Sequence, residues 1–281
     1  MTPPALSRAV EHYLSVADRL APGLVTGCYV VGSAALGDWR PDVSDIDVVA
    51  VVGAVVGGAA GERELRRLSL LHKLGNLRAA GRALARRQPH LPGTVNAVFV
   101  AAGDLGEPVT RIRPVASHSG PSFRRGQGFD VNPVMWTVLR ERGIAVRGPA
   151  PATLGLDPEP SLLRSWTLDQ LRGHWARYAA RALSARPPRR RLQSPYRLAL
   201  AYALSPPRLH RTVVTGEVIS KEEAGAYALD TFDTRWHPLL QLALAHRRSV
   251  PGPALDPSQV PRLTGEFIQE VIATAPPDVR E

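Results

Sequence analysis

The alternation of apolar and polar positions predicts a helix first. Leu6, Val10, Tyr13, Leu14 and Ala17 recur at helical spacing over residues 4–20, and Pro22-Gly23 ends the run. Two apolar strands follow, at 24–31 and 45–52. A flexible turn over 57–61 leads into one long predicted helix at 62–88. Its buried side carries Leu65, Leu68, Leu71, Leu74 and Leu77, and Pro89 and Pro92 stop it. Residues 94–101, TVNAVFVA, are a third strand. This order predicts a small mixed sheet backed by helices.

Residues 103–130 are polar with glycine and proline throughout, and read as a loop or lid. A helix over 132–142 and an edge strand over 144–147 complete the first half. The proline-rich stretch 148–160 has no periodic pattern and marks the domain boundary, giving domains 1–150 and 151–281. Helices are predicted near 161–185, 195–204, 207–215, 220–230, 235–248 and 258–274. The fold class is therefore α+β, with a small mixed-sheet domain followed by a helical bundle.

Charge changes this picture. The formal charge is +10, and 33 of the 35 basic residues are arginine, leaving Lys73 and Lys221 as the lysines. With the high alanine content, this skew points to coding bias, so arginine alone carries no function. Its placement does matter. Ten arginines and no acid lie between Asp169 and Glu217, which favours phosphate-bearing ligands and disfavours polycations. No exposed aromatics interleave them, so a solvated helical face beside a triphosphate pocket is preferred to nucleic-acid binding. The arginine-rich turn 186–191 is too short for a nucleic-acid tail. A single cysteine, Cys28, excludes an intramolecular disulfide, and the apolar runs are too short to span a bilayer. We expect a cytoplasmic monomer with no membrane partner.

The candidate chemistry sits at residues 28–52. In a strand, alternate side chains share a face, so Asp45 and Asp47 point the same way and Ile46 the other. Two such carboxylates repel unless a cation lies between them. Magnesium on a nucleoside triphosphate suits, being a hard cation that takes one or two carboxylates plus phosphate oxygens. At Gly32-Ser33, glycine allows close backbone approach, so amides and the Ser33 hydroxyl can hold triphosphate oxygens. Either pair alone is ordinary, as a tight turn or an exposed strand. Strand, Gly-Ser, eleven residues, Asp-x-Asp and apolar strand together predict a nucleotidyltransferase core. Trp39, between the two halves, is a candidate contact to nucleotide or substrate.

The stretch GSAALGDWRPDVSDIDVVAVV resembles the signature of the DNA polymerase β-type nucleotidyltransferases. Within that superfamily the chain is similar to the bacterial streptomycin/spectinomycin-type aminoglycoside adenylyltransferases. The likeness is sharpest at 31–52 and recurs at VLRERGIAVRGPAP (138–151) and VVTGEVISKEEAGAYAL (213–229). It implies transfer of AMP from ATP to a small-molecule hydroxyl, antibiotic resistance, and a helical C-terminal domain. By position it implies Asp45 and Asp47 as magnesium ligands, Ser33 as a triphosphate contact, and Arg208 and Lys221 as nucleotide contacts.

Two departures from that family stand out. Its third-strand glutamate, the base for the attacking hydroxyl, aligns with Asn96, and an amide does not accept that proton at neutral pH. Asp104 and Glu217 are candidate substitutes. Without one, the expected alternative is a nucleotide-binding protein with impaired catalysis. The family also meets its cationic drugs with acids in the helical domain, where this chain has RRLQSPYRLALAY at 190–202. Acids from the lid or from the 217–233 cluster (Glu217, Glu222, Glu223, Asp230, Asp233) would have to take that role.

Overall fold

The computed structural model describes residues 3–41, 43–53, 58–86, 92–184 and 194–277. The chain divides into two compact units, Met1–Glu159 and Pro160–Glu281.

In the first unit the elements run α1 (Pro4–Leu20), β1 (Val25–Val30), α2 (Gly32–Ala35), β2 (Ile46–Val52), α3 (Gly58–Gly75), α4 (Leu77–Ala85) and β3 (Val95–Ala101). After these come β4 (Ala116–Ser119), β5 (Ser122–Arg125), α5 (Pro133–Arg142) and β6 (Ile144–Arg147). The described strands form one six-stranded sheet in the order β5-β4-β3-β2-β1-β6. β2 and β3 are parallel and every other pair is antiparallel. A parallel pair needs a long crossover, which α3 and α4 supply. One sheet face presents Ile46, Val48, Ala50, Val95, Ala97 and Phe99 to Leu6, Val10 and Tyr13 of α1 and to Leu68 and Leu71 of α3. Strand alternation leaves Asp47 and Asn96 on the opposite face.

Three expectations change. The long helix is two helices, broken at Asn76, whose Oδ1 accepts from Val95 N at 2.7 Å while Nδ2 donates to Val95 O at 3.0 Å. Leu74, still within α3, and Leu77, after the break, are 40% and 59% exposed rather than buried. Gly58–Gly61 lies inside α3 rather than in a turn. The expected lid contains the β4–β5 hairpin, whose short polar strands, ASHS and SFRR, carry little apolar alternation. Residues 54–57, Pro89 and the basic turn 186–191 lie outside the described residues.

The second unit is helical. α6 (Pro160–Gln170) passes through a π-helical turn at Leu171–Trp175 into α7 (Ala176–Leu183). α8 (Pro195–Ala203), α9 (Ser205–Thr215), α10 (Lys221–Thr231), α11 (His237–Arg248) and α12 (Val260–Thr274) follow. Leu171, Leu200, Leu240, Phe267, Ile268 and Val271 anchor its core. Among the described residues no helix is long and apolar enough to cross a membrane.

A polar cluster lies buried in the first unit. Tyr13 Oη is 2.7 Å from His118 Nε2, and the His72 and His118 rings stand 4.4 Å apart. Desolvation, with a smaller contribution from His72, pushes the pKa of His118 from 6.5 down to about 3. An unfolded histidine takes a proton near pH 6.5 that the folded one refuses, so stability is full above that pH and falls below it. At pH 5 the loss from this one group is about 2 kcal/mol. His118→Gln, which keeps a partner for the Tyr13 hydroxyl, is expected to flatten the decline of denaturation free energy between pH 7 and 5. Denaturant titrations at both pH values measure it, and equal slopes in the two proteins would remove His118 as the cause.

Candidate active site

The site is built where β1 and β2 meet. Val31 N donates to Asp47 O at 2.9 Å, which ties the end of β1 to the start of β2. Gly32 then turns with φ +60. A Cβ at Gly32 would stand 2.5 Å from Asp47 Oδ2, so glycine is required both by backbone conformation and by space. Ser33, next in α2, is partly exposed. Its carbonyl accepts from Asp38 N at 2.8 Å, folding the loop back on itself. The loop closes through Trp39, whose Nε1 donates to Asp45 O at 3.0 Å. Trp39 also packs on the first unit's core, so the structure gives it a scaffolding role.

Asp45 is exposed and Asp47 partly buried. The parallel register pairs Asp47 with Asn96, which is only 6% exposed. Asn96 Nδ2 donates to Asp45 Oδ2 at 2.9 Å and to Asp47 Oδ1 at 3.2 Å. Its Oδ1 accepts from Gly120 N, in the β4–β5 turn, at 3.2 Å. These three bonds fix the amide orientation, since a flipped amide would put its oxygen against two carboxylates. The bridging donor holds the two carboxylate oxygens within about 6 Å of each other.

The donor set suits magnesium. Two carboxylates on one sheet face, with a glycine leaving the space beside Asp47 open, match an ion that takes one or two carboxylates and fills its remaining positions with water and phosphate. No cluster of three or more histidines, cysteines or acids able to hold a metal occurs among the described residues.

Asp104 and Glu217, the candidate replacement bases, belong to different units. Asp104 is in the 3-10 turn after β3, and the strand between spans about 16 Å from Asn96. Glu217 belongs to the second unit and pairs with Arg211 at 3.0 Å. A carboxyl the sequence did not single out is Asp130, whose pKa is raised by desolvation. Nearby Gly128 lies against Val98, on the same strand face as Asn96. One aspartate in a glycine-rich loop carries no spacing signal, so only burial distinguishes it.

Residues 12–79 match the family model of the nucleotidyltransferase domain. The first unit is a nucleotidyltransferase domain. Residues 198–270 match the aminoglycoside adenylyltransferase C-terminal domain. No curated protein matches the chain by sequence. Among solved structures it is similar to the spectinomycin adenyltransferase AAD(9) from Enterococcus faecialis with ATP and spectinomycin. Identity is 13%, the match covers 95% of this chain and 99% of that one, and the TM-score is 0.64, a likeness of fold. The two domain matches make the chain an enzyme of the nucleotidyltransferase class, similar to the aminoglycoside adenylyltransferases.

Arg208 and Lys221 lie in the adenylyltransferase-type C-terminal domain. Arg208 is in α9, and its carbonyl accepts from Thr212 Oγ1 at 3.2 Å. Gly216, at φ +79, ends that helix. Lys221 opens α10 behind a capping box of Ser220 and Glu223, and its Nζ donates to Ala201 O at 3.4 Å. Thus Gly32, Asp45, Asp47 and Asn96 are brought together, with Ser33 beside them, while Arg208 and Lys221 belong to the other unit.

Gly32→Ala tests the fit at this turn. A left-handed non-glycine residue costs about 1–3 kcal/mol, and here the methyl also displaces Asp47. Gly37→Ala is the control, with φ +73 and nothing within 4 Å of its Cβ. Thermal unfolding should show the larger loss for Gly32→Ala. Equal losses would mean that Asp47 is not crowded.

Proposed function

We propose that this protein is a magnesium-dependent adenylyltransferase, moving AMP from ATP to a small-molecule acceptor. The observation that carries the reading is the convergence of Gly32, Asp45 and Asp47 at the β1–β2 junction. Asp45 and Asp47 are the residues that hold magnesium. The ion supplies positive charge and alignment for the triphosphate. Ser33 binds a phosphate oxygen. Arg208 and Lys221, carried over from the family resemblance, counter the charge that develops on the leaving pyrophosphate. Arginine offers a fixed fork and lysine a compact point charge, both apt for phosphate. A hydroxyl of an aminoglycoside-like molecule is the acceptor that the resemblance implies, in line with the spectinomycin bound by the structurally similar enzyme.

Asn96 favours a second reading, a protein on the same fold that binds magnesium-nucleotide and turns over poorly. Its amide is engaged as a donor to both aspartates and cannot take a hydroxyl proton. A missing general base costs about 10²–10⁴ in rate.

Magnesium with ATP is expected to raise the melting temperature of the wild type and not of Asp47→Asn. AMP transfer in that variant should fall by about 10²–10³. Transfer at the wild-type rate in Asp47→Asn would overturn the assignment. Binding of magnesium-ATP with no transfer to any acceptor would select the second reading.

A further inference from the structure

The buried cluster of Tyr13, His72 and His118 is destabilising where it stands. Its rings lie beside Phe99, in a core that also holds Leu68 and Leu71. Nδ1 of each histidine is buried there without a hydrogen-bond partner among the described residues. A polar atom buried without a partner costs stability that an apolar side chain of similar size would keep.

What the cluster holds is the β4–β5 turn. The register sets His118 beside Ala97 of β3, on the α1–α3 face of the sheet. There its Nε2 lies 2.7 Å from Tyr13 Oη, and its ring 4.4 Å from that of His72. Ala116 and His118 are the buried residues of β4, and β5 has none. The turn end of the hairpin is therefore anchored in the core by the His118 side chain. A second tether follows the turn. Desolvation lowers the pKa of His72, and a hydrogen bond to the Pro121 carbonyl works against it. Between the tethers Gly120, at φ +52, donates its N–H to Asn96 Oδ1 at 3.2 Å. Asn96 Nδ2 in turn reaches Asp45 and Asp47. Contacts thus run from the α1–α3 face of the sheet to the carboxylate face through this one turn.

We propose that Tyr13, His72 and His118 are positioning residues for the magnesium-binding carboxylates, acting through the β4–β5 turn and Asn96. This role presupposes the adenylyl-transfer reading, in which Asp45 and Asp47 hold the ion. The Gly120 N–H can only donate, so it keeps the amide oxygen and leaves Nδ2 to face the carboxylates. Nδ2 then holds the two against their mutual repulsion. Loosening the turn leaves Oδ1 buried without a donor, and the amide reorients to find one. The carboxylates lose their common partner and separate. Side chains that bond to a metal's ligands and orient them are worth about 10–100-fold in metal affinity. The cluster acts through such a side chain, so its effect cannot exceed that of Asn96 itself.

The test is calorimetric binding of an ATP analogue with a methylene group between its α- and β-phosphorus. Affinity is measured with magnesium and with EDTA, and the ratio gives the magnesium contribution. His118→Leu fills the space and removes the bond to Tyr13, and its ratio is expected to fall about tenfold. Asn96→Ala should lower the ratio by about 10–100-fold. The double variant should fall no further than Asn96→Ala, since both changes act on the same contact. Tyr13→Phe deletes only the hydroxyl and should move the ratio the same way by a smaller factor. It carries the test if His118→Leu does not fold. Val10→Ala, a cavity in the same core, is the control, expected to lower the melting temperature and leave the ratio unchanged. A wild-type ratio in Tyr13→Phe and in folded His118→Leu would overturn the proposal. So would full additivity with Asn96→Ala, or an equal fall in Val10→Ala. No magnesium effect in the wild type would instead remove the adenylyl-transfer reading, and this role with it.

Discussion

The parallel pairing of β2 with β3 places Asp47 beside Asn96, and the site depends on that register. Strand side chains alternate, so a slip of one residue would turn Asn96 into the α1–α3 core and bring an apolar neighbour to Asp47. The apolar residues of the core face oppose the slip, since Ile46, Val48, Val95, Ala97 and Phe99 are all buried there. Asp47 and Asn96 are the polar start of an opposite face that continues in buried Val49, Val51, Val98 and Val100. The crossover through α3 and α4 completes the arrangement, with Asn76 clamping the start of β3 from the helix break.

Around that register the electrostatics are asymmetric. Two carboxylates at one end of a sheet repel by about 1–4 kcal/mol at surface-like dielectric constants. The Asn96 amide offsets part of this with two donated hydrogens. The remaining negative potential is what a hard cation would meet. Elsewhere the acids are taken up locally, Asp18 by Arg147 at 2.7 Å and Glu62 by Arg125 at 2.9 Å. The positive excess is shared, with net +4 in the first unit and +6 in the second.

Much of this was legible in the sequence where one physical signal dominated. α1, β1, β2 and β3 were readable because burial on one or both faces imposes a period or an unbroken apolar run. The fold class followed from their order, and the matches to a nucleotidyltransferase domain and an adenylyltransferase C-terminal domain agree with it. The β4–β5 hairpin was not readable, because an edge hairpin of polar residues is held by backbone bonds that leave no side-chain pattern. The break at Asn76 was missed for a related reason. The leucine repeat continues through it, and only a contact 19 residues away ends the helix.

The candidate site divides along the same line. Gly32, Ser33, Asp45 and Asp47 are spaced along a single turn and strand, so the sequence alone determined the donor chemistry they suggest. What Asn96 does was decided by tertiary structure. Its neighbours come from residues 45, 47 and 120, and whether an amide presents nitrogen or oxygen depends on partners that distant chain segments bring to it. Asp130 likewise became visible only through burial, which no local spacing encodes. Local chemistry is written in neighbouring residues, whereas the protonation and orientation of a group depend on what surrounds it in space.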